Sequence, residues 1–162
     1  MPHCSKTSFV QMSMNMTLNG PHPILIAEDD EDDYLLTIEA LKEAGVDTQV
    51  KWVKDGEELM NYLEPIGTTI KKSSSEFPSL ILLDLNMPRK DGREVLEEIK
   101  KNNTLRKIPV VVLTTSKAET DINHAYDLGV NSYIQKPVRF NEFVEVIKVL
   151  SHYWFQIVKL PD

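Results

Sequence analysis

The sequence predicts a doubly wound α/β protein, on three observations. Short strand-like runs recur at Ile24–Ala27, Gln49–Val53, Leu80–Leu83, Val110–Leu113 and Ser132–Gln135. Stretches with apolar residues at helical spacing separate and follow them. Three of the runs, at Ile24, Leu80 and Val110, are apolar at every position, as strands covered on both faces should be. Alternating strands and helices imply a parallel sheet whose right-handed crossovers lay helices on both faces.

Each element has its own justification. After Ile24–Ala27, a helix is expected from about Asp32 to Ala44, with Leu35, Ile38 and Leu41 on one face and Gly45 as its stop. Gln49–Val53 is the second strand. Gly56–Leu63 is the second helix, closed by Pro65 and Gly67. Residues 68–78 are polar, contain Lys71, Lys72 and Ser73 to Ser75, and are long for a connection, so they read as an inserted loop. Leu80–Leu83 is the central strand. Arg93–Lys101 is a helix presenting Val95, Leu96 and Ile99, and Val110–Leu113 the fourth strand. Glu119–Leu128, Ser132–Gln135 and a helix from Asn141 to Tyr153 or beyond complete the pattern. Five strands favour the flavodoxin-like order 2-1-3-4-5, with a crevice between the first and third strands.

The ends differ from this body. Residues 1–23 are polar and aperiodic and read as a flexible tail. Residues 153–162 form an extension rich in large apolar side chains: Tyr153, Trp154, Phe155, Ile157, Val158 and Leu160. It reads as a homodimer contact, or alternatively as an extra layer packed on its own domain.

Composition narrows the function classes. The net charge is −7 and the lysines are scattered, which argues against a nucleic-acid surface. The longest apolar runs are too short to cross a bilayer, and the first residues lack the apolar core of an export signal. A single cysteine, Cys4, permits no internal disulfide, and the expected compartment is a reducing cytoplasm. His3, His22, His124 and His152 are scattered and do not read as ligands.

Ligands of open α/β sheets bind beyond the carboxyl ends of the strands. There the first strand ends in Glu28 and Asp29, the third in Asp84, the fourth in Thr114 and Thr115, and the fifth in Lys136 and Pro137. Carboxylates so close repel one another unless one is protonated or a cation sits among them. Mg²⁺ fits, as a hard ion held by a few carboxylate oxygens and a substrate phosphate. Asp84, at the end of the central strand, is then the candidate nucleophile for an aspartyl phosphate. Lys136 would pair with the phosphoryl oxygens and Thr114 would donate to one of them. Pro88 and Gly92 shape the loop after Asp84.

Four segments, in order, resemble the response-regulator receiver family: I-L-I-A-E-D-D from Ile24, L-I-L-L-D-L-N-M-P-R-K-D-G from Leu80, I-P-V-V-V-L-T-T-S from Ile108 and Y-I-Q-K-P from Tyr133. The resemblance covers residues 24 to about 150 and implies a receiver domain over 24–152. It implies that Asp84 takes a phosphoryl group from a histidine kinase. Asp29 would be a direct metal ligand, Glu28 a ligand directly or through water, and the Asn86 backbone carbonyl the remaining protein ligand for Mg²⁺ or Mn²⁺. Thr114 and Tyr133 would be the switch pair, with Thr115 as the small residue after the switch hydroxyl. D-G-R-E-V-L-E-E-I-K from Asp91 and Y-W-F-Q-I-V-K-L-P from Tyr153 look like the phytochrome-associated response regulators of cyanobacteria. That likeness implies a phytochrome kinase as partner. Many of that branch carry Lys-Ser where this chain has Lys136-Pro137, the commoner receiver form.

Other readings fit less well. A phosphatase of the haloacid dehalogenase type would want an acid two residues after the nucleophile, where Asn86 stands. A flavodoxin-like cofactor binder would want a phosphate cradle after the first strand, where this chain has E-D-D-E-D-D. After Pro137 too little chain remains for a helix-turn-helix, so output through protein contact is expected. A phosphorelay shuttle without phytochrome input is the remaining alternative.

Overall fold

The computed structural model describes residues 22–68 and 76–159. Nearly all of the expected N-terminal tail, most of the inserted loop and Leu160 lie outside the described residues. The strands are β1 (Ile24–Ala27), β2 (Val50–Val53), β3 (Leu80–Leu83), β4 (Val110–Thr114) and β5 (Ser132–Gln135). They pair in parallel in the order β2-β1-β3-β4-β5, as expected. The helices are α1 (Glu31–Glu43), α2 (Gly56–Thr68), α3 (Gly92–Lys101), α4 (Glu119–Leu128) and α5 (Phe140–His152).

Side chains alternate across a strand, so each apolar strand feeds two cores. Leu25, Ala27, Ile81, Leu83, Val110 and Val112 face α2, α3 and α4, whose Leu59, Leu63, Leu96 and Ile99 are fully enclosed. Ile24, Ile26, Leu80, Leu82, Val111 and Leu113 face the other way, onto Ala40 and Leu41 of α1 and Phe143 and Ile147 of α5. Burial of each such aliphatic side chain contributes about 1.5–3 kcal/mol, which makes the central strands the rigid frame of the molecule.

β2, α3 and α5 each start one residue away from the expected position, at Val50, Gly92 and Phe140, and three further shifts have a visible cause. α1 begins at Glu31, one residue early, because the Asp30 carboxylate accepts the Asp32 and Asp33 amides at 2.8 and 3.2 Å and caps the helix. α2 does not stop at Pro65 but runs on to Thr68. Ile66 is buried in the core there, and Gly67 lies so close to Leu105 that a Cβ would sit 3.2 Å from its side chain. That packing holds the last turn in spite of the lost proline hydrogen bond. β4 reaches Thr114, which places that hydroxyl inside the strand.

After α5 the chain continues through a π-helical turn, Tyr153–Ile157. Trp154 and Phe155 are buried in the α1/α5 core and Val158 packs against it, whereas Tyr153 and Ile157 are 50% and 61% exposed. No helix among the described residues is long and apolar enough to cross a membrane.

Candidate functional site

The register of the sheet assembles the site. Ala27 of β1 pairs with Leu83 of β3, and the Asp84 amide donates to the Ala27 carbonyl at 3.0 Å, so Glu28 and Asp84 emerge side by side. Asp29 follows at the exposed rim. Carboxylate oxygens of Glu28, Asp29 and Asp84 lie within 4.8 Å of one another, the one such group among the described residues. Both Glu28 and Asp84 are 5% exposed.

Lys136 arrives from the far side. Its amide donates to the Thr114 carbonyl at 2.7 Å, extending the β4–β5 ladder past Gln135. Its ammonium spends its three N–H donors on three carboxylates: Glu28, Asp33 at 2.9 Å and Asp84 at 3.2 Å. The other oxygen of Asp84 accepts from the Thr114 hydroxyl at 2.8 Å and from the Asn86 amide at 3.1 Å.

This is more negative charge than one ammonium can satisfy. Burial pushes the Glu28 carboxyl up, the Asp84 charge adds to the effect, and Lys136 opposes both only in part, leaving it at about 8. Burial alone would lower the Lys136 value, but the charges of Asp84 and Glu28 outweigh it and hold the ammonium protonated. A further cation would relieve the excess, and three hard carboxylate ligands at this spacing fit a divalent metal ion.

The loop after Asp84 is fixed by backbone contact. A Cβ on Gly92 would lie 2.4 Å from the Asp84 carbonyl oxygen, so only glycine lets α3 start this close to Asp84. Asp91 caps α3 by accepting the Arg93 amide at 2.7 Å. Arg93 then spans the neighbouring loops. It holds Asp91 at 3.0 Å and Asp121 of α4 at 2.5 Å, and its outer edge reaches the Asn86 side chain at 3.5 Å. Asp121 also accepts from the Ser116 hydroxyl at 2.6 Å.

Of the residues expected from the sequence, Glu28, Asp29, Asp84, Thr114 and Lys136 meet at one point. Asn86 and Thr115 sit at the exposed rim, their side chains 3.4 Å apart. Tyr133 is half-buried on β5, and its hydroxyl donates to the Ser116 carbonyl at 2.9 Å. Sequence reasoning missed Asp33, although it stands in the acidic run: one turn into α1, it points back to Lys136. It also missed Arg93 with Asp121, and Trp52, whose indole donates to the Glu28 carbonyl at 2.8 Å. Trp52 had no signal beyond its type and strand.

A buried aspartate closes the central strand, flanked by acids on one side and by a lysine and a threonine on the other, at the carboxyl edge of a parallel α/β sheet. The chain belongs to the response regulator receiver domain family, the match spanning residues 24–148. It is similar to response regulator Rcp1 of Synechocystis sp., at 42% identity over 88% of this chain and 95% of the relative. The Mn²⁺-bound structure of Rcp1 superposes with a TM-score of 0.78 at 40% identity, over 87% of this chain and 99% of the other. The phosphorylated cyanobacterial phytochrome response regulator RcpA does so with a TM-score of 0.78 at 44% identity, over the same shares. Phosphorylation on aspartate by histidine kinases is general to this family, so the chain is a two-component signalling protein.

Proposed function

We propose that Asp84 accepts a phosphoryl group from the phosphohistidine of a phytochrome histidine kinase, with Mg²⁺ or Mn²⁺ bound by Glu28, Asp29, Asp84 and the Asn86 carbonyl. The observation that carries this reading is the division of Asp84: one oxygen is held by Thr114 and the other by Lys136, 5% exposed beside two more acids. The bound metal would offset the carboxylate charge and let an anionic donor approach.

The chain's own groups do the rest. A carboxylate oxygen of Asp84 attacks phosphorus as the P–N bond to the kinase imidazole breaks, and the imidazole nitrogen keeps the electron pair. Lys136 leaves its carboxylates and pairs with a phosphoryl oxygen as a point charge, while Thr114 turns its hydroxyl to another. Tyr133 follows the vacated space inward, which shifts a pre-existing equilibrium between resting and active arrangements. Leu35 on α1 and Val138 and Phe140, before and at the start of α5, are exposed apolar side chains that suit a kinase helix.

The signal leaves by protein contact, and the partner nearest at hand is a second copy. Ile134, Val146, Val149, Leu150 and Tyr153 line an open apolar groove of about 460 Å³ that runs into the extension. A symmetric pair would cover it.

Intact-mass analysis after incubation with an autophosphorylated phytochrome kinase and Mg²⁺ tests the central step. The wild type should gain one phosphoryl group that hydroxylamine removes, and Asp84→Asn should gain none. Wild-type labelling of Asp84→Asn would place the acceptor elsewhere.

A further inference from the structure

The β1–β2 ladder ends at the acidic loop, and a tryptophan takes over where it stops. Ala27 and Val53 are the last paired residues, and the Glu28 amide still donates to the Val53 carbonyl at 3.0 Å. The Glu28 carbonyl lies past the ladder, and Trp52 Nε1 donates to it at 2.8 Å. The indole is itself clamped. It stacks on Tyr34 of α1 with ring centroids 3.9 Å apart and planes 4° from parallel, and the Lys54 ammonium stands 4.6 Å from its centre. Tyr34 follows Asp33, whose carboxylate holds Lys136.

The carbonyl so held belongs to the peptide joining Glu28 to Asp29. Holding the Glu28 amide on one side and its carbonyl on the other fixes the φ and ψ of Glu28 and so the direction in which its side chain leaves the chain, and because the peptide that follows is planar it also fixes where the Asp29 Cα stands. We propose that Trp52 is a positioning residue for the metal site: its indole N–H sets the Glu28–Asp29 peptide so that the two carboxylates converge with Asp84. The inference rests on the metal reading above and adds a residue outside the ligand set. A merely structural Trp52 would contribute packing through its rings. A positioning Trp52 acts through one proton.

Trp52→Phe separates the two, because it keeps a ring for Tyr34 and Lys54 and removes the donor. Loss of one hydrogen bond corresponds to about a three- to tenfold change in an equilibrium constant. Mn²⁺ binding to Trp52→Phe, followed by electron paramagnetic resonance of free Mn²⁺, should weaken by about that factor. The Mg²⁺ concentration giving half-maximal phosphorylation by a small acyl phosphate should rise in step, with the rate at saturating Mg²⁺ unchanged. β-(3-Benzothienyl)alanine at position 52 keeps the bicyclic shape without the N–H, and should show the same shift even where Phe lowers the melting temperature. An unmoved Mn²⁺ affinity in both variants, or a lower saturating rate at an unmoved Mg²⁺ midpoint, overturns the inference. A wild type that takes up no Mn²⁺ overturns the metal reading and this inference together.

Discussion

Lys136 and Arg93 each gather carboxylates at the carboxyl edge of the sheet, but they sit in opposite electrostatic regimes. The Lys136 side chain is 5% exposed and shares its three donors among three acids, two of them buried. The Arg93 side chain is 32% exposed and divides its planar fork mainly between Asp91 and Asp121. Around Lys136 burial drives a carboxyl upward, with Glu28 at about 8. Beside Arg93 the guanidinium holds Asp121 down to about 2. One cluster is left with unmet charge and gains from an arriving cation, as functional sites do. The other is already satisfied, and it ties α3 to α4 and the Ser116 loop. The same ingredients thus make a poised site in one place and a brace in the other, and burial decides which.

Lys136→Met should break this contrast most violently. It removes the ammonium and leaves Glu28 and Asp84 buried without a counter-charge. Removing one partner of a buried ion pair costs about 3–5 kcal/mol. Urea denaturation should show a loss of this order in metal-free protein, with Mg²⁺ restoring more stability to the variant than it adds to the wild type. Arg93→Ala, removing a partly exposed partner, should cost about 1 kcal/mol and respond no differently to Mg²⁺. Equal losses in the two variants would mean that burial does not separate the clusters.

The pH dependence should carry opposite signs at the two sites. Glu28 binds its proton more tightly folded than unfolded. In EDTA its contribution is therefore full below about pH 4.5 and lost as pH rises through about 8. Asp121 binds its proton less tightly when folded, so its contribution is present above about pH 3.8 and lost as pH falls through about 2. Urea midpoints measured against pH should lose the neutral slope in Glu28→Gln and the acid slope in Asp121→Asn. A neutral slope that survives in Glu28→Gln would assign the excess charge to another group.

The contrast also shows what could be read from the sequence. The Lys136 cluster was legible because strand periodicity locates strand ends, and in this fold strand ends are where ligands sit. Glu28, Asp84, Thr114 and Lys136 each end a strand, so topology alone brought them together. Arg93, Asp121 and Ser116 lie in the first turns of helices and in a loop, where the meeting of side chains depends on helix docking that no periodicity reports. Asp33 and Trp52 were hidden differently, since each acts through a backbone direction set by a neighbour: the Asp30 cap for one, the end of the β1–β2 ladder for the other. Pro65 misled for a related reason. Its local cost was visible, and the packing of Ile66 and Gly67 that outweighs it was not.

The outer face of α5 belongs to neither cluster, and charge placed there should have the smallest effect on both. Val149 is 68% exposed and Ile157 61%, on either side of the half-exposed Tyr153. Lysine at both positions puts two like charges against their copies across a two-fold axis, so a symmetric pair is destabilised twice over. Deleting the extension would not make this test, because Trp154 and Phe155 belong to the core and their loss would unsettle α1 and α5. The double variant keeps them. Its folding stability should stay within about 0.5 kcal/mol of wild type, as for surface changes in general. Phosphorylation and its dependence on Mg²⁺ should also be unchanged. In analytical ultracentrifugation the wild type should show a concentration-dependent dimer, resting or phosphorylated, and the variant a monomer at every concentration. A wild type that remains monomeric in both states would leave the extension serving only its own core, through Trp154, Phe155 and Val158.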